Sequence, residues 1–152
     1  MTKQQPFDDV PRLGKLTARD FWLLADSGAF ANNARTELIE GEIWVVISVH
    51  RWHARAMSAL HIELGRTIEG SGLRLELLLA GSVSMSDDSV PEPDISVIAA
   101  LNADAKTIEK EELKLAVEVS DSSAPHDLGR KACLYARHGV PEYWVVHRER
   151  AC

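Results

Sequence analysis

The segment LKLAVEVS, residues 113–120, is an apolar stretch of strand length with one carboxylate, Glu118, in its interior. Alternation puts Leu113, Leu115, Val117 and Val119 on one face, and Lys114, Ala116 and Glu118 on the other. So apolar a strand is expected at the centre of a sheet. A carboxylate there is costly to bury unless it is paired or bound to a cation. The fold must therefore supply Glu118 with a positive partner.

The rest of the chain supplies elements that can surround such a strand. Thr17 followed by ARDFWLLADSG reads as a capped helix, with Asp20 completing a capping box, Phe21, Leu24 and Ala25 on its inner stripe, and Gly28 closing it. TELIEGEIWVVIS reads as a hairpin turning at Glu40 and Gly41. From His50 to about Gly70, Met57, Leu60, Leu64 and Ile68 recur at helical spacing. LRLELLLAG alternates Leu73, Leu75, Leu77 and Leu79, SVSMS extends that strand, and DISVIAA forms another after Pro91 and Pro93. Past the loop SDSSAPHD, Asp127 is expected to cap a helix from Leu128 to about His138, and VPEYWVV is the last strand. This order predicts an α/β or α+β sandwich with a mixed sheet.

Length and charge narrow the classes. With 152 residues, 45% of them hydrophobic and 26% charged, the chain fits one ordinary globular domain over residues 1–152. No apolar run approaches the ~20 residues of a membrane span, and MTKQQPFDDVPRLG lacks the order of a secretory signal, so no membrane and a cytoplasmic location are expected. Cys133 reads as a core thiol and Cys152 as an exposed end, with no disulfide or zinc spacing. The net charge of -6 repels polyphosphate, which counts against a dedicated nucleic-acid binder. It leaves room for an enzyme whose carboxylates hold a metal, because the bound cation reverses the local sign.

Two carboxylates fit that demand. Asp94, after Pro93, stands at the mouth of a strand, and Glu118 lies inside another. Magnesium takes one or two protein carboxylates and leaves its other positions to water and phosphate. Lys131, four residues after Asp127, can carry a cation toward the end of the Glu118 strand, where it would orient or activate water or neutralise a phosphate. Structural alternatives stand beside each residue. Asp94 can cap a turn, Glu118 can pair with a buried Arg or Lys, and Lys131 can be a surface cation or a partner of Asp127.

EPDISVI and LAVEVSDSSAPHDLGRKACLYARHGVPEYWVV, preceded by RTELIEGEIW and VHRWHARAMSAL, resemble the Uma-type family of restriction-endonuclease-like proteins within the PD-(D/E)XK nuclease superfamily. The resemblance covers most of residues 35 to 146. It implies a restriction-endonuclease-like mixed sheet flanked by helices, phosphodiester hydrolysis in nucleic acid, Mg2+ or Mn2+ as cofactor, and a homodimer. It implies metal ligation by Asp94, Glu118 and the Val119 carbonyl. Ser120 stands where the superfamily often has its lysine, and Lys131 in DLGRK fits a lysine moved onto the following helix. Glu37 matches an acidic residue brought to the metal site, with a solvated strand residue as the alternative, and His53 matches a histidine at the start of the long helix, with a core or rim group as the alternative.

The chain departs from that pattern after YWVV, where His147 replaces the usual Asp and the sequence stops at RERAC, so the family's C-terminal strands are expected to be missing. Two readings from other classes remain: a catalytically inactive nuclease fold serving as an interaction or regulatory module, and a small-molecule phosphate hydrolase. No GxxxxGK[ST] loop is present, which argues against ATP use.

Overall fold

The computed structural model describes residues 14–148 apart from 34, 47–49, 100–103 and 121. The expectations for Cys152, for the terminal RERAC beyond Arg148 and for the first 13 residues lie outside the described residues. Helix α1 (Ala18–Asp26) opens on the expected capping box: Thr17 Oγ1 accepts from the Asp20 N–H while the Asp20 carboxylate accepts from the Thr17 N–H. Strands β1 (Arg35–Ile39) and β2 (Glu42–Val46) pair antiparallel around Glu40 and Gly41, whose φ angles of 51° and 80° make the turn whose twist suits a tight hairpin.

Helix α2 (Arg51–Ser71) precedes β3 (Glu76–Leu79) and β4 (Val83–Ser84). Then come β5 (Ile95–Ile98), β6 (Ile108–Glu109) and β7 (Leu113–Ser120), the strand from which the sequence reading began. The connection from β7 to β8 (Glu142–His147) is helical: α3 (Ala124–His126), a π-helical turn (Asp127–Lys131) and α4 (Ala132–Arg137). The main sheet has the order β3-β5-β7-β8, with β7 antiparallel to β5 and parallel to β8, so it is mixed as expected.

Both faces of β7 are covered. On one, Met57, Leu60, Leu64 and Ile68 of α2 pack over Ile95, Val97, Leu115 and Val117. On the other, Ile39, Val83, Met85, Ile98, Ile108, Leu134 and Tyr135 gather around Leu113 and Ala116. Leu113 therefore leaves the face that alternation gave it. Val97 stands opposite Leu115 but Ile98 opposite Leu113, so Lys114 is an extra residue in β7 and the bulge reverses the side-chain sense before it.

Four further expectations are corrected. SVSMS does not extend β3, because β4 leaves that strand and pairs parallel with β6. Leu73 and Leu79 are exposed, so of the four alternating leucines Leu75 and Leu77 join a core, and Leu78, between Leu77 and Leu79, joins the core on the opposite face. Asp127 does not cap a helix: the helical segment begins at Ala124 after Ser123, and Asp127 lies buried inside it, accepting from Ser120 Oγ at 2.8 Å. Cys133 is exposed, because Leu134 and Tyr135 occupy the inner face of that turn. Among the described residues no helix is long and apolar enough to cross a membrane.

Candidate functional site

Glu37, Asp94, Glu118 and Lys131 are all buried, each 2% exposed or less. Lys131 owes its position to the π-helical turn. The Ala132 N–H reaches back to the Asp127 carbonyl five residues earlier, and the widened turn carries Asp127 and Lys131 inward while Arg130 faces the rim. Lys131 Nζ stands 2.5 Å from Glu118 Oε1 and 2.8 Å from Glu37 Oε1. The Glu92 N–H also donates to Glu37 Oε1, at 2.7 Å, and the Tyr135 hydroxyl donates to Glu118 Oε1 at 3.4 Å. Glu118 thus has a buried lysine as its partner, and that lysine is Lys131.

Asp94 directly precedes β5, whose first residue pairs with Val117, so its carboxylate reaches the end of β7. The Val119 N–H donates to Asp94 Oδ2 at 2.7 Å. In an extended strand a residue's N–H and C=O point to the same edge, so the Val119 carbonyl shares the edge that faces Asp94. Arg35 holds Asp94 Oδ1 at 2.6 Å, and His53 Nε2 lies 3.1 Å from Oδ2. A carboxylate only accepts, so that nitrogen carries the ring proton toward Asp94. Asp94 is therefore a residue in a network and more than a turn cap, while Glu37 is no solvated strand residue.

Burial and charge set the protonation. Burial, reinforced by the charges of Glu37, Asp94 and Asp127, outweighs the Lys131 ammonium and pushes the Glu118 carboxyl up to about 8. For Lys131 the balance reverses: burial pulls it down, but Glu118 and Glu37 together hold it above its ordinary value. Burial would also raise Glu37, and there Lys131 and then Arg35 win, leaving it below the usual carboxylate range. Lys131 is accordingly a protonated donor at neutral pH.

The cluster gathers an excess of buried carboxylate over cation. Its donors are hard oxygens on β1, on β7 and on the residue that leads into β5, suited to a hard divalent ion that keeps water or phosphate in its other positions. Among the described residues no three His, Cys, Asp or Glu side chains are placed to enclose an ion by themselves.

Sequence reasoning missed Arg35 and Tyr135. Alternation was the available signal for the first, since Arg35 and Glu37 share a face of β1 two residues apart. Helical spacing was the signal for the second, four residues past Lys131 on the same side. Ser120, at the place where a lysine was looked for, is instead tied to Asp127.

The family model Uma2, described as putative restriction endonuclease, matches residues 20–152. The fold is similar to the crystal structure of a putative nuclease belonging to DUF820 from Anabaena variabilis ATCC 29413, with a TM-score of 0.60 and 15% sequence identity over 74% of this chain. The chain spans 65% of the length of that protein. No curated protein matches the chain.

Proposed function

The chain belongs to the Uma2 family of putative restriction endonucleases, and from that premise we propose that it hydrolyses phosphodiester bonds of nucleic acid at the Asp94, Glu118 and Lys131 cluster. The observation that carries the reading is a fully buried lysine held between two carboxylates, with a third carboxylate just before the neighbouring strand β5. Asp94, Glu118 and the Val119 carbonyl would hold Mg2+ or Mn2+. Bound there, the ion would lower the pKa of a water and neutralise charge on the phosphate.

The protein's own groups divide the remaining work. Lys131 is protonated, so it acts as a hydrogen-bond donor that orients the attacking water or stabilises phosphate charge, and it does not act as a base. Glu37 is the second carboxylate that fixes the Lys131 ammonium, beside Glu118. Arg35 and His53 orient the Asp94 carboxylate. A homodimer in the cytoplasm completes the reading carried by the family.

One observation favours a second reading. Both oxygens of Asp94 are already engaged, by Arg35 on one side and by His53 and the Val119 N–H on the other. A cluster satisfied in this way also suits a catalytically inactive interaction module. Incubation with plasmid DNA and with RNA in Mg2+ or Mn2+ separates the two. Hydrolysis that disappears in Asp94→Asn and Glu118→Gln supports the nuclease, whereas no cleavage by the parent, or equal cleavage by both variants, removes it.

A further inference from the structure

At the start of α2 an open cavity of about 540 Å³ is lined by Arg51, Trp52, Arg55, Ala56 and Arg148. Three guanidinium groups around one cavity stand out in a chain whose net charge is -6. Among the described residues none of the three forms an ion pair with a carboxylate. Arg51 and Arg55 lie one helical turn apart and so project from one face of α2. Arg148 follows β8 directly. His50, the N-cap residue just before α2, makes no side-chain capping bond, so the first N–H groups of this 21-residue helix add their positive end to the same place.

Two short routes, each passing through a hydrogen bond, link the cavity to the acidic cluster. Trp52 precedes His53, whose ring reaches Asp94. Arg148 donates its N–H to the Ser120 carbonyl at 3.4 Å, two residues beyond Glu118 on β7. A chain of negative charge lying across the end of the sheet would meet these arginines and then the part-exposed His53 and Arg35, beneath which the carboxylate cluster is buried. The geometry points to the Arg51, Arg55 and Arg148 cavity as the binding site for the phosphates of a nucleic-acid strand, with Trp52 as its apolar wall. This placement rests on the proposed hydrolysis at the neighbouring cluster, and it explains how an acidic protein engages a polyanion: the positive charge is local.

Arginine is suited to this task because its planar fork pairs with phosphate oxygens and stays charged at every working pH. Each phosphate contact releases counterions, so binding weakens with salt at a slope of about 0.7 per contact for single strands and about 0.9 for duplex. The test is fluorescence anisotropy of labelled single-stranded and duplex DNA against salt, with the full chain in EDTA. The triple variant Arg51→Ala, Arg55→Ala, Arg148→Ala is expected to bind at least tenfold more weakly, with the salt slope reduced by about 2 to 3. Arg66→Ala, on the later part of α2, is expected to match the parent.

An unchanged slope in the triple variant, an equal loss in Arg66→Ala, or a parent that binds neither probe would overturn the assignment. Omitting divalent ions keeps this outcome separate from catalysis. A parent that cleaves but whose binding ignores the arginines loses only the cavity, and a parent that binds through them but never cleaves loses only the hydrolysis. The arginines are on the surface, so unchanged circular dichroism in the variant is expected.

Discussion

Two neighbouring residues of one helical turn, Arg130 and Lys131, each hold two glutamates, and they do so in opposite surroundings. Arg130 meets Glu40 at 2.9 Å and Glu42 at 2.5 Å, with side-chain exposures of 28%, 24% and 35%. Lys131 meets Glu37 and Glu118 at similar distances with exposures of 1%, 3% and 2%. Contact geometry is nearly the same. Water is what differs, and it splits the outcome for the acids: Arg130's hydrogen bonds lower Glu40 and Glu42, whereas burial raises Glu118 despite its lysine and leaves Glu37 lowered only because Lys131 and Arg35 both act on it. The rim set is screened and replaceable. The buried set is a poor route to stability, since an apolar cluster of the same volume serves a core as well. Its burial accords with the hydrolysis proposed for it.

The largest break in this comparison is Lys131→Met, which strands Glu37 and Glu118 without their cation. It is expected to lose about 3 to 5 kcal/mol of stability, or about 6 to 20 °C in Tm, by urea and thermal unfolding. If the loss is no greater than for a surface residue, the buried pair is not what it is taken to be. Next in size is chemistry: Glu118→Gln and Asp94→Asn are each expected to lower any metal-dependent cleavage by about 100-fold or more, read as single-turnover rates.

Adding Glu37→Gln and Glu118→Gln to Lys131→Met removes the stranded charges together. Most of the lost stability should return while cleavage stays absent, which separates the two roles of the cluster. At the rim, Arg130→Ala should move Tm by no more than about 4 °C, and by less at high salt, where screening already weakens the pairs. The smallest effect concerns His126, stacked on Trp44 at 4.0 Å. Burial, and then the Lys131 charge, hold it below its ordinary value of 6.5. The unfolded chain takes up that proton first as pH falls, so the stability tied to neutral His126 is complete above pH 6.5 and is lost toward its lower folded value. His126→Gln should lessen the fall in stability below that pH, and parallel pH curves for the two proteins would count against it.

Local signals made much of the fold legible. The Thr17 and Asp20 box, the Glu40 and Gly41 turn, the Met57 to Ile68 stripe and the apolar run of β7 each act over a few residues, where the chain's own geometry decides. Where a distant partner intervened, the local reading failed. The bulge at Lys114 reversed Leu113, β6 drew β4 out of the β3 strand, and the π-helical turn swallowed Asp127 and left Cys133 outside.

The candidate cluster divides in the same way. By itself the sequence determined that Glu118 sat in an apolar strand and needed a cation, and that Asp94, Glu37 and Lys131 were available, because alternation and the cost of a buried charge are properties of short segments. Only the tertiary structure decided which cation answered it. Lys131 lies 94 residues from Glu37, and Arg35 lies 59 from Asp94. No periodicity spans such distances. The pairing follows from the stacking of hairpin, sheet and helix, which excludes water from one set of charges and leaves its neighbour at the rim.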